Sequence, residues 1–457
     1  MRENLITCDK FDFISILDVA AHKEVNEHAT FYIKGHISVD SDDYVLRSEA
    51  GQNVAFTVSG PNGDRVLFQG IVSDIDIFEE NDVRVLSVSV VSNSSLMDLT
   101  PETRTFQDVN MTYRAVTSRI EEKNPNFGFL WPSDGDKPIG AMMVQYLETD
   151  WQYCLRLAGR LGTVVVPDYL LDFPYISIGM LRRSTAPGAI PTAYTVGKDV
   201  KQYRENSVSG NFSERGAVYY IFKSREIYDL CDPFPFNGLS LYVYAIDTKY
   251  EGNELVHYYT LKEEGGFYTK STWNENLIGV ALRGTVKEIT EDKVRVEIAG
   301  DVEQSEYKWF PYATPFSQPD GYGWYFMPEI GDEIRLQFPS EQEDDAYVSS
   351  AVHITHGNRS DPKIKFIRTI YGQIIQFDPS TILIDDGAGS SITMKKDQGI
   401  SMETDKAISI DAQSNITVSA SGKVTIEGQG GVVMQKGSSV VSVDDAIDIS
   451  SEHTRVQ

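Results

Sequence analysis

The side chains best able to do chemistry are a histidine pair and two runs of carboxylates, and each also has a plainer reading. His353-Ile354-Thr355-His356 offers two imidazoles as metal ligands. On a strand these two side chains point to opposite faces, and no third ligand stands nearby. Glu341, Glu343, Asp344 and Asp345 could supply a general acid and base. That work needs apolar shielding to raise one carboxyl, whereas this run reads as a solvated β-turn. Asp74, Asp76, Glu79, Glu80 and Asp82 could gather a cation, but they lack the fixed spacing of a calcium loop and read as a wet hairpin end. Gly428 to Gly431 is followed by no Lys-Ser/Thr pair, so it is no phosphate loop. No Gly-x-Ser-x-Gly elbow occurs, and His453 stands alone near the end. The sequence predicts no catalytic residue, no cofactor and no metal.

Composition narrows the class. A chain of 457 residues allows several domains, and its net charge of −26 argues against nucleic acid, which needs clustered Lys and Arg. Cys8, Cys154 and Cys231 are odd in number and widely spaced, so no disulfide framework is expected. MRENLITCDKFDF has no apolar leader core, and no apolar run reaches membrane-span length. The expectation is synthesis in a cytoplasm without a signal peptide.

The elements organise around Trp309 to Val352. Gly331-Asp332 opens a period-2 run in which Ile334, Leu336 and Phe338 alternate with Arg335 and Gln337. Strands at Gly284–Val286, Val294–Ile298 and Ala346–Val352 complete a set that predicts a five-stranded OB-type barrel. Phe310, Trp324, Tyr325 and Phe326 are expected to close its end or wall. Upstream, Thr30–Val39, Val54–Ser59, Arg65–Ile77 and Val83–Ser92 read as strands, with Gly60-Pro61-Asn62-Gly63 as a turn. Thr112 should cap a helix carrying Tyr113, Val116 and Ile120, and Thr149 with Gln152 makes a capping box for a second. In that second helix Trp151, Leu155, Ala158 and Leu161 form the apolar face, while Asp150 and Arg156 read as solvated. Strands then return at Ala217–Lys223, Leu239–Asp247 and Leu255–Leu261.

The tail is a repeat. Ile384, Ile392, Ile400, Ile408, Ile416, Val424, Val432 and Val440 fall eight residues apart, and Met394, Met402, Ile410, Val418, Ile426 and Met434 follow two positions on. Two inward apolar side chains per octad are too few for one chain to build a core. Three chains around a common axis could pack these stripes together as an intertwined β-prism, a needle on the order of 40 Å long. The alternative is a β-solenoid within one chain, which would need a wider apolar face. Val433, Val441 and Val443 are expected to point outward and form a tip covered by a cap or by Asp444–Gln457 folding back.

RTFQDVNMTYRAV (Arg104–Val116) and LETDWQYCLRLAGRLG (Leu147–Gly162) resemble signature segments of the VgrG and phage late-control-D hub proteins. Gly279–Val352 resembles that family's OB-type spike base. The resemblance implies a mainly β protein with a small α/β insert: hub β-barrel 1 (1–100), the insert (101–197), hub β-barrel 2 (198–275), an OB barrel (276–356) and a trimeric β-helix spike (357–457). It implies a non-enzymatic homotrimeric spike-hub at the tip of a contractile injection apparatus. The implied partners are an Hcp-like tail-tube protein, baseplate proteins, a PAAR-type tip protein and, transiently, a target membrane. The chain would be built into a phage-tail-like particle, retained or released. A trimeric glycan-binding or glycan-cleaving tailspike and a purely structural baseplate hub are the alternatives. The family's lysozyme-like insert has no room between the barrel and the octads.

Overall fold

The computed structural model describes residues 6–39, 44–49, 51–60, 63–183, 192–207, 212–318, 320–353, 359–444 and 446–450. The chain divides into two compact units, Met1–Ile354 and Thr355–Gln457.

In the first unit the two β-rich regions share one sheet. The strands run in the spatial order Ile6–Cys8, Asn53–Gly60, Gly63–Glu80, Val83–Ser92, Thr30–Ile37, Ser15–Glu24, and then directly Leu239–Glu251, Glu254–Glu263, Val218–Ser224 and Tyr194–Lys198. The sequence suggests two barrels; the structure joins the two β units edge to edge, because Ser15–Glu24 and Leu239–Glu251 pair antiparallel from Ala20↔Lys249 to Glu24↔Ala245. Alternation along each strand sends Val19, Ile33, Phe31, Val88 and Ile246 into one core, where Phe31 stacks on Phe56 at 4.4 Å. The acidic hairpin end is exposed as expected, turned by Asn81 and Asp82, both at positive φ, as a two-residue type I′ loop demands. Pro61 and Asn62 lie outside the described residues.

The insert packs its own core from helices Tyr113–Lys123 and Asp150–Leu161. Thr112 accepts from Ala115 N, and Thr149 and Gln152 exchange both bonds of a capping box. Gly162, at φ 66°, ends the second helix in the left-handed conformation that a side chain would strain.

The barrel comprises Trp309–Pro311, Lys293–Ile298, Ala281–Thr290, Glu333–Gln337 and Tyr347–Ala351 in that order. A parallel bridge from Tyr312 to Val348 links its first and last strands, the contact that closes an OB arrangement. Phe310, Ile334, Leu336 and Phe338 are fully buried within it. Trp324, Tyr325 and Phe326 are exposed instead. They sit on a hairpin bridged between Ser317 and Gly323, outside the barrel wall they were expected to fill.

The second unit begins with a five-stranded antiparallel meander, Lys365–Arg368, Ile374–Phe377, Thr381–Asp385, Ser390–Lys395 and Gly399–Thr404. Residues 405–431 carry no strand among the described residues. Val432–Lys436, Ser439–Val443 and Ile447–Ser450 form a last small sheet.

Candidate functional site at the joint between insert and barrel

The densest polar chemistry of the chain lies where the insert meets the barrel. Helix Asp150–Leu161 presents Arg156, flanked by apolar Cys154, Leu157 and Ala158, to a region closed to water. Its guanidinium donates to Glu148 at 2.7 and 3.0 Å, to Glu343 Oε1 at 2.9 Å and to the Val144 carbonyl at 2.6 Å. One turn on, Arg160 donates to both oxygens of Glu343 at 2.9 and 2.7 Å and lies over the Trp273 ring. Arg156 and Glu343 are each only 2% exposed. Burial works against the charge of Arg156, but the bond to Glu148 and that carboxylate's charge outweigh it and hold the guanidinium pKa above its ordinary value.

Two sequence expectations are corrected here. Arg156 and Asp150 are not solvated, and Glu343 is not part of a wet turn; Asp344 and Asp345 are. The helical period sets residue 156 on the face away from Trp151 and Ala158, and its charge is buried because Glu148, the Val144 carbonyl and the distant Glu343 supply its partners. Asp150 is likewise paired, accepting from Arg104 at 2.5 Å and from Gln145 at 3.0 Å. Sequence reasoning missed this network. The local signals are an arginine set among apolar helix residues and Glu148 eight residues before it; nothing nearby in sequence names Glu343.

A second row of bonds fastens the same two parts. Thr105 N donates to the Gly300 carbonyl at 3.1 Å, and Gln107 Nε2 donates to the Val296 carbonyl at 2.9 Å and to Asp301 at 2.8 Å. Gln304 Oε1 accepts from Gln107 N at 2.6 Å and from Asp108 N at 3.1 Å. Burial raises the Asp301 pKa, while the bonds from Thr105 and Gln107 pull it back. Met142 and Val144 pack into the barrel core, so the apolar contact is continuous with the polar one. Arg104, Asp150, Arg156, Arg160, Glu148 and Glu343 are paired among themselves, a pocket of about 380 Å³ opens beside Arg104, Gly300 and Asp301, and the bonds hold the two parts in fixed register.

The other singled-out residues are not brought together. His353 is exposed; Ile354, Thr355, His356 and His453 lie outside the described residues. Cys154 and Cys231 are buried, and burial pushes the Cys231 thiol up to about 12, which makes it inert. In the tail, direct cross-strand pairs put Ile367, Ile375, Phe377, Ile382, Ile384, Ile392, Met394, Ile400 and Met402 on one face of the meander. Gln376, Thr393 and Ser401 take the other face, together with Phe366, Ile374 and Leu383. Ile408, Ile410, Ile416, Val418, Val424 and Ile426 belong to no strand and are exposed, Ile410 to 71%. In the last sheet Val432 pairs with Val443 and Met434 with Val441, so these four share one face, while Val433 and Val440 lie on the other. The tip set Val433, Val441 and Val443 is thus divided between faces, because the pairing shifts the register by one residue there.

Residues 30–167 match the family model described as the phage tail baseplate hub (GPD), and residues 282–353 match that of the type VI secretion system/phage-baseplate injector OB domain. No curated protein matches the chain. Among solved structures, the E. coli c3393 protein is described as a type VI secretion system component structurally similar to the T4 bacteriophage tail proteins gp27 and gp5. It aligns with a TM-score of 0.54 at 12% identity, covering 76% of this chain and 100% of its own. A chain of the Francisella PdpA–VgrG complex in its half-lidded form also reaches 0.54, at 8% identity, covering 85% of this chain and 84% of its own. At such identities the likeness is one of fold. The joint links the two matched regions: Arg104, Gln107, Glu148, Arg156 and Arg160 come from the hub match, and Asp301, Gln304 and Glu343 from the injector match. The chain thus carries one region that matches the phage tail baseplate hub model and another that matches the injector OB model, fastened together by this buried joint.

Proposed function

We propose that three copies of the chain assemble into a spike-hub that joins a tail tube to a membrane-puncturing needle, and that the protein works mechanically, without catalysis. The observation that supports this is an apolar face of the tail: nine large side chains aligned across five strands, all but Ile392 exposed. Such a face exceeds what a soluble sheet leaves in water. The octads at 405–431 present the same residue types with no strand partner of their own. Two further copies would supply both the missing layer and the missing edges. A glycan-cleaving tailspike would need paired carboxylates in a groove, and the octads offer polar side chains without one.

In this reading the joint carries thrust from hub to needle, an Hcp-like ring sits on the hub, and a PAAR-type cap covers the blunt end near Val440. Light scattering on the full chain tests the assembly: three times the chain mass is expected, and a stable monomer would overturn it. Clearing of a cell-wall zymogram, abolished by one Asp or Glu substitution, would refute the non-catalytic reading. Capture of a PAAR-type protein should fall when Ala446–Gln457 is removed and Val441→Lys is introduced; equal capture would rule out this end as the docking surface.

A further inference from the structure

The seam that makes two β units one sheet carries a group of side chains with no counterpart among the described residues. His22 stands directly across from Asp247, and its Nδ1 lies 2.8 Å from Asp247 Oδ1. That contact turns Nε2 the other way, toward Glu24 Oε2 at 3.5 Å and Glu27 Oε2 at 3.6 Å. His22 and Glu24 are two apart on one strand and so share a face. The turn that follows, with Asn26 at φ 66°, brings Glu27 back over them. One ligand atom from each lies within 4.8 Å of the others.

These separations fit a particular chemistry. They are long for hydrogen bonds between a nitrogen and a carboxylate. They match neighbouring ligands on a tetrahedral zinc, roughly 3.3 to 3.6 Å apart when the metal bonds are about 2.0 to 2.2 Å. A carboxylate accepting from the far ring nitrogen is the arrangement that fixes the tautomer of a metal-bound histidine. The charge balance also favours a cation, because three carboxylates surround one imidazole. Lys262, an amine whose charge Glu24 also feels, is engaged with Gln202 at 3.2 Å and with the Tyr244 ring. The spacing His22-x-Glu24-x-x-Glu27 carries no recognised metal motif, so only the seam reveals the group.

We propose that His22 Nε2, Glu24 and Glu27 form a site for a divalent transition cation of the zinc class, with water in the fourth position and Asp247 as the positioning residue across the seam. Because three ligands come from one β unit and the positioning carboxylate from the other, the bound ion would brace the strand pair that unites them. The proposal does not depend on the spike-hub reading.

The test uses the full, tag-free chain stripped of metal, titrated at pH 7.5 with Zn²⁺ by calorimetry and with Co²⁺ by visible absorption. One equivalent per chain and a tetrahedral cobalt spectrum are expected. His22→Ala and Glu27→Gln should abolish both signals, and Asp247→Asn should weaken affinity by about tenfold. Glu27 is at an exposed turn, so Glu27→Gln should leave the metal-free fold and its melting temperature unchanged. Zinc should raise the melting temperature of the parent chain and leave that of Glu27→Gln unmoved. Absence of binding to the parent chain, or binding unaffected by His22→Ala, would overturn the proposal. So would a seam that weakens as His22 loses its proton but ignores zinc, which would mark a simple imidazolium–carboxylate cluster.

Discussion

The two units handle the same residue types in opposite ways. In the first, Ile33, Phe56, Val296 and Leu336 are fully enclosed by strands of their own chain. In the second, Ile400, Ile408 and Ile410 are more than half exposed, although they alternate with polar residues just as regularly. The difference lies in how much apolar surface each strand contributes and what faces it. The hub strands run to 18 residues and send their apolar side chains into one shared core, whereas an octad offers two apolar side chains on a short strand. The first unit can therefore close a core alone, whereas the second leaves its apolar side chains exposed, and the proposed assembly is what would cover them.

The sharpest way to break that contrast is to charge the stripe. Ile408→Asp places one carboxylate per chain where the assembled needle would bury it, at a cost of several kcal/mol each without partners. The heat resistance of the proposed trimer should collapse while the first unit keeps its own melting transition. A heat-resistant trimer carrying Ile408→Asp would show that residue 408 is not axial.

The joint gives the next largest effect, confined to the first unit. Arg156→Met leaves Glu148 and Glu343 buried with fewer partners, and breaking such a pair costs about 3–5 kcal/mol. Urea unfolding should show this loss, and proteolysis should separate hub from barrel sooner. Replacing Arg156, Glu148 and Glu343 together with apolar residues should recover much of it, because the penalty comes from the orphaned charges.

Acid should also separate the two units. His257 is buried with Nδ1 against Thr248 Oγ1 at 2.8 Å, and burial, then the charges of Lys23 and Arg65, push its pKa down to about 4. The unfolded chain takes up that proton near 6.5, before the folded one does. Stability is therefore intact above pH 6.5 and is lost as pH falls from 6.5 toward 4, by on the order of 3 kcal/mol in total. Burial lowers the pKa of His28 too, with the same sign. His257→Leu should flatten the pH profile of first-unit unfolding; an unchanged profile would show that another group governs it.

How much of this could be read in the sequence follows from the range of the interactions. The strand Val83–Ser92, the caps at Thr112 and Thr149 and the stop at Gly162 are set by neighbours a few residues away, and all were legible. The barrel's inward residues Ile334, Leu336 and Phe338 were legible from alternation alone. The single sheet was not, because His22 and Asp247 meet across more than two hundred residues. Nor was the burial of Arg156 and Glu343, where periodicity argues for water and only distant partners reverse it. Trp324, Tyr325 and Phe326 failed for the opposite reason: aromatic character suggests a core, but all three side chains are exposed.

The smallest expected effect discriminates most finely between a unit that folds alone and one that folds by assembly. Thr112 Oγ1 accepts from Ala115 N at 3.2 Å, so Thr112→Ala removes one helix cap, worth about 1 kcal/mol. That loss should not depend on protein concentration, and Thr112→Ser should restore most of it. In the second unit Asp378 plays a comparable local part: its carboxylate accepts from Ser380 N and Thr381 N, each at 2.8 Å, and orders the turn between two strands. The backbone bond from Ser380 holds its pKa below the ordinary value. If the strands of this unit are stable only when three chains pair, Asp378→Ala should act through association, shifting the midpoint more at low protein concentration than at high. Measuring both substitutions across a hundredfold range of concentration separates the cases. A concentration-independent loss at Asp378 would mean that the second unit holds its strands together alone.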